Sequence, residues 1–157
     1  MNLFGVMDVS GSALEAERLR AEVVTSNMAN ANTTRTPEGG PYKRQDVVFE
    51  SAAPDQGSFA NQLLYQTEGG NAFGGDSMGG NIGGVKIAAV VTDNSKGMRR
   101  YDPGHPDADK NGYVTYPDIN PLTEMVDLMS ATRAYDLNSS AVQATKSMID
   151  SSIDILK

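Results

Sequence analysis

From Met125 to the end of the chain, residues recur at alternating steps of three and four: Met125, Leu128, Thr132, Tyr135, Ser139, Val142, Lys146, Ile149, Ile153 and Leu156. Most are apolar, and this spacing sets them on one stripe of a helix. The opening of the chain carries a looser version through Leu3, Met7, Leu14, Ala21, Val24 and Met28. Neither stripe can be buried by its own helix. Long single-faced helices at both ends of a chain are expected to pack on each other and on neighbouring copies, which points to assembly rather than catalysis.

The first helix is expected from Leu3 to about Asn32, rich in Ala, Leu, Glu and Arg between Ala13 and Arg20. Ser10 or Ser12 reads as its N-cap, with Glu15 closing a capping box on Ser12 and a less regular lead-in before Gly11. Asn27, Asn30 and Asn32 read as a helix exit whose side chains satisfy orphan backbone groups. Thr36-Pro37-Glu38-Gly39-Gly40-Pro41 breaks the chain. The last helix starts at Pro121 with Asn120 as its cap. At about 35 residues it spans on the order of 50 Å, longer than a small globular domain requires.

Between the helices, Tyr42–Phe49, Val85–Thr92, Arg99–Tyr101 and Tyr113–Tyr116 read as strands. Residues 51–84 hold four Gly-Gly pairs and too little side chain to bury, so a flexible loop or hairpin tip is expected there. The fold class is α+β: two terminal helices paired in a coiled-coil-like way, with a small β-rich middle and a Gly-rich loop. The expected divisions are 1–33 for the first helix, 34–120 for the middle with its insertion at 51–84, and 121–157 for the last helix.

Composition narrows the function. The chain of 157 residues has a formal net charge of −7 and only scattered basic pairs, Lys43-Arg44 and Arg99-Arg100, so nucleic acid is excluded as a partner. There are no cysteines, which removes disulfides, thiolate metal sites and a Cys nucleophile. No stretch approaches a membrane span. No cleavable signal peptide is expected, because no Lys or Arg precedes Leu3 and Asp8 interrupts the early apolar run.

Three stretches carry a resemblance. The first is Ser10-Gly11-Ser12-Ala13-Leu14 through Arg18, with Asn27-Met28-Ala29-Asn30 and Thr33. The second is Thr36-Pro37-Glu38-Gly39-Gly40-Pro41-Tyr42-Lys43-Arg44. The third is Tyr101-Asp102-Pro103-Gly104-His105-Pro106-Asp107-Ala108-Asp109, then Gly112-Tyr113-Val114, Glu124-Met125, Ala131, Arg133-Ala134-Tyr135 and Asn138. Together they resemble the flagellar axial proteins, and within that family the C-type subunits of the proximal rod of the basal body. The longer Gly-rich middle departs from compact members.

The resemblance implies a structural subunit, not an enzyme, with no cofactor. Such subunits polymerise helically through their terminal helices, in the periplasmic space, into a shaft that carries motor torque. Their partners are copies of themselves, other rod subunits, the protein joining the rod to the membrane ring, and the type III export apparatus. The expected interface residues are Leu14, Ala21, Val24, Asn27, Met28 and Asn30 on the first helix. On the last they are Met125, Leu128, Tyr135, Val142, Ile149, Ile153 and Leu156.

One motif competes. Asp107, Asp109 and Asn111, followed by Gly112, Thr115 and Asp118, follow the spacing of a calcium loop, with the Tyr113 carbonyl between. An extracytoplasmic calcium-binding module is the alternative reading. Against it, the twelfth position is Asp rather than Glu, and Pro103, Pro106 and Pro117 deny the loop its flanking helices. His105, the only histidine, sits in a Pro-Gly turn beside Asp102, Asp107 and Asp109 and reads as a packing or hydrogen-bonding residue rather than a metal ligand or general base.

Overall fold

The computed structural model describes residues 3–52 and 83–155. Helix α1 (Leu3–Ala29) and helix α2 (Pro121–Ile155) run antiparallel, and their contact is the main packing of the chain. Between them come β1 (Gln45–Ser51), β2 (Val85–Thr92), β3 (Met98–Tyr101) and β4 (Tyr113–Tyr116). The strands form two separate antiparallel pairs, β1 with β2 and β3 with β4. The expected α+β class and its helix pair are therefore present. The Gly-rich stretch lies largely outside the described residues.

Helix α1 departs from the expected start. It continues through Ser10, Gly11 and Ser12, so neither serine is an N-cap and no irregular lead-in precedes Gly11. Ser10 is buried instead. The Ser12 hydroxyl donates to the Val9 carbonyl at 2.8 Å and accepts from the Val85 amide at 3.1 Å. Tertiary contacts on this turn outweigh the weak helix propensity of Ser and Gly. A Cβ on Gly84 would collide with the Ser12 hydroxyl, so the missing side chain lets β2 reach the helix. The helix ends near its expected exit: the Asn30 side-chain amide donates to the Ser26 carbonyl at 2.9 Å.

Helix α2 begins as its sequence dictates. The Leu122 amide donates to the Asn120 side chain at 3.0 Å, with Pro121 in the first turn where a missing N–H costs nothing. At 35 residues it exceeds the 27 of α1, and the surplus lies at its C-terminal end.

Strand β1 starts at Gln45 rather than Tyr42, because Tyr42 and Arg44 turn toward the helices. The β1–β2 register runs from Gln45 opposite Thr92 to Ser51 opposite Val85, with a bulge between Val48 and Phe49. Its inner face (Gln45, Val47, Val85, Ile87) is half-buried toward α1. In the second pair Met98 faces Tyr116 and Tyr101 faces Tyr113, and Val114 is buried beneath. The connecting turn needs Gly112, whose φ is +77° and whose Cβ would meet the Tyr101 ring.

Candidate assembly interface

The seam between the helices is filled by small and polar side chains. On α2 the row facing α1 runs at seven-residue steps through Glu124, Ala131, Asn138 and Thr145; Glu124, Ala131 and Thr145 are fully buried, and Asn138 is half-buried. Leu128, Val142 and Ile149 flank it and are half-buried. On α1 the buried side chains are Ser10, Ala16, Val23, Val24 and Asn27. Leu14, Ala21, Met28 and Asn30 are half-buried. Small side chains let two helices approach closely, but they leave little apolar area inside the pair.

The large apolar side chains of α2 point the other way. Leu122 is 71% exposed, Leu137 72%, Val126 59% and Met129 50%. Their steps of four, three and then twice four through Arg133 form a second stripe. At 100° per residue Leu122 lies about 180° around the helix from Ala131, so this stripe faces away from α1. Met125, Tyr135 and Ile153, expected on a single stripe with Leu128, are also exposed. Leu156 lies outside the described residues. The single-faced reading of α2 is therefore corrected: it carries apolar residues on two faces, and α1 covers the poorer one. The outer row was legible at its own helical spacing, alongside the stripe that begins at Met125.

A polar knot joins the end of α1 to the start of α2. Asn27 is fully buried. Its side-chain amide donates to the Gln45 carbonyl at 2.8 Å and to Glu124 Oε2 at 3.2 Å. Its Oδ1 accepts from the Gln45 amide at 3.0 Å and from the Tyr42 hydroxyl at 3.3 Å. Asn27 therefore does not cap its own helix, as its place in the Asn cluster suggested; it joins three elements. Glu124 Oε1 in turn accepts from Arg44 Nε at 2.6 Å.

Around this pair charges alternate across the chain. Arg44 also faces Asp46 and Asp127, and Arg20 of α1 faces Asp127 at 3.7 Å and Glu17 at 3.7 Å. The hydrogen bond to Glu124 holds the Arg44 guanidinium above the ordinary arginine pKa, reinforced by the nearby carboxylates, while burial works the other way. Sequence reasoning missed Arg44, Asp127 and the role of Glu124, because an isolated charge on a helix reads as a solvated one.

The calcium-type loop is wired differently from its motif. Asp107 accepts from the Thr34 hydroxyl at 2.8 Å and faces Arg35, fastening the loop to the exit of α1. Asp109 accepts from the Lys110 amide and faces Arg99 on the other side. Asn111 and Asp118 are exposed. Among the described residues no three acidic or histidine side chains converge as a metal site. His105 Nδ1 accepts from the Asp107 amide at 3.2 Å, as a hydrogen-bonding residue.

Comparison with known proteins gives the same picture. Residues 7–35 match the family model described as flagella basal body rod protein, and residues 110–155 match the C-terminal model of the flagellar basal body rod FlgEFG proteins. Flagellar basal-body rod protein FlgC of Bacillus subtilis is 43% identical, over the full length of both chains. Its counterpart in Borreliella burgdorferi is 41% identical over all of this chain and 99% of its own. That of Salmonella typhimurium is 37% identical over 95% of this chain and 94% of its own. The chain belongs to the FlgC family of flagellar basal-body rod proteins. As a FlgC-family member it is a structural subunit of the flagellar rod, not an enzyme, and it assembles with other rod components. The matched spans cover most of α1 and all of α2, the two elements that carry the seam and the outward apolar row. None of the described helices is long and apolar enough to cross a membrane.

Proposed function

We propose that this chain is a proximal-rod subunit that polymerises helically through α1 and α2 and so forms part of the shaft transmitting motor torque. The observation that carries this is the inverted helix pair. Its seam holds Ala131, Asn138 and Thr145, while Leu122, Val126, Met129 and Leu137 stand in water. Each of those outer side chains gains about 1.5–3 kcal/mol when fully buried. Neighbouring subunits would supply that burial, as one pair of helices cannot. The expected interface residues Leu14, Ala21, Val24, Asn27, Met28 and Asn30 would then act indirectly, holding α1 against the back of α2. Met125, Tyr135 and Ile153 would meet neighbours directly, and Leu128, Val142 and Ile149 would do both.

Stiffness under torque follows from distributing contact along 50 Å of helix rather than concentrating it. The subunit would act in the periplasmic space after type III export, between the rod-to-ring junction protein and further rod subunits. The divisions at residues 33 and 120 then separate an inner helical layer from a β-rich outer part. The test replaces the native copy with Leu122→Ser/Leu137→Ser. Cells are expected to keep the protein at normal level but lose rods and motility. Motile cells with intact rods would contradict the proposal.

A further inference from the structure

Two surfaces of opposite charge lie at opposite ends of the helix pair. The first is an open cleft of about 430 Å³ beside the start of α2, lined by Lys43, Arg44, Lys96 and Arg99 with Asp93 and Asp118. Four of the 13 basic residues of a chain with net charge −7 gather here. The Lys43 ammonium donates to neutral Asn94 at 2.7 Å, so its charge is not cancelled. Lys96 is exposed and makes no ion pair with another described residue.

The second surface is the end of α2 that outruns α1. The eight extra residues project by about 12 Å. The buried row through Glu124, Ala131 and Thr145 stops there, and Ser152, its next member, is exposed. Asp150 and Asp154 share one face at an i,i+4 step, also exposed, beside Ile153. Like charges at this spacing repel. Both carboxylates also sit at the negative end of the helix dipole, and the last turn holds no basic residue. Lys146, one turn before Asp150, is the one described cation on this face, so the carboxylates outnumber it two to one.

We infer that the α2 overhang of one copy, through Asp150 and Asp154, seats in the Lys43/Lys96/Arg99 cleft of a second copy. The inference rests on the reading of this chain as a self-assembling rod subunit and names one contact of that assembly. The two surfaces are separated by the length of α2, so they cannot meet within one molecule. A head-to-tail contact of this kind extends instead of closing when the rotation does not return on itself.

The test uses the full chain with charge reversals at exposed positions: Lys43→Glu/Lys96→Glu and Asp150→Lys/Asp154→Lys, with far-UV circular dichroism as the folding control. In sedimentation velocity at low salt, each variant alone is expected to associate at least tenfold more weakly than wild type. Mixed together, the two are expected to form alternating chains, since the native overhang of the first meets the native cleft of the second and the reversed overhang meets the reversed cleft. The fourfold variant is expected to regain wild-type chains. A wild-type chain that stays monomeric, folded variants that associate as wild type does, or a fourfold variant that stays monomeric would each overturn the contact. The rod reading has its own readout in the Leu122/Leu137 replacement, so the two can fail separately.

Discussion

Asn27 and Glu124, 97 residues apart in the chain and both fully buried, share a 3.2 Å hydrogen bond that joins the end of α1 to the start of α2. The same asparagine satisfies both backbone groups of Gln45, so one side chain sets the helix crossing and the start of the first strand. Asn27→Ala leaves the Gln45 amide and carbonyl unpaired in a half-buried place. The expected loss is about 2–3 kcal/mol of folding stability, read by urea denaturation of the purified monomer. A loss below about 0.5 kcal/mol would show that solvent replaces the side chain without cost.

The Arg44–Glu124 pair is expected to behave as a buried ion pair. Glu124→Leu alone should cost about 3–5 kcal/mol, because the half-buried guanidinium loses its one fully buried partner and keeps only the more exposed Asp46 and Asp127. Combining it with Arg44→Met should recover a large part of that loss, since two apolar groups leave no uncompensated charge. A double-mutant cycle checks this. Strict additivity would mean that the two residues act independently.

The pH dependence of this pair has a definite sign. The folded-state pKa of Arg44 is raised, so its contribution is fully present below the unfolded value and is lost only as pH climbs through the folded one. That window lies beyond about pH 12. The Arg44→Met variant and the wild type should therefore differ in stability by a constant amount between pH 7 and 10. A gap that narrows across that range in thermal melts would contradict the assignment.

Gly112→Ala tests the turn that binds the Asp107 loop to the second strand pair. The positive φ alone costs about 1–2 kcal/mol for a residue with a Cβ, and the Tyr101 ring must also move. The expected readout is loss of the Tyr101–Tyr113 edge contact in the aromatic NMR shifts, with α1 and α2 unchanged. Shifts spreading into the helix seam would show that the β part and the helices do not separate.

Much of the architecture was legible in the sequence. Val85–Thr92 and Tyr113–Tyr116 are strands at the expected residues, and Asn120-Pro121 starts the last helix. Local chemistry decides those features: β-branched and aromatic runs, and a cap before a proline. The seam was not legible, because Ala131, Asn138 and Thr145 are weak signals in any apolar count. Nor was the knot, since a hydrogen bond spanning 97 residues leaves no local trace. Ser12 misled for a related reason: it fits a capping box, yet its partner is Val85 on a distant strand. The heptad-like stripe from Met125 mixed both faces of α2, which only the position of α1 could separate.

Amide hydrogen exchange on the dilute full chain and on assembled rods tests the inverted helix pair most directly. In the dilute chain, amides near Asn27 and Glu124 should exchange slowly, while those of α2 beyond Thr145 exchange at least a hundredfold faster. On assembly the fast set should slow to match the rest. Uniformly slow exchange along both helices in the dilute chain, unchanged on assembly, would mean that one molecule already encloses its own ends.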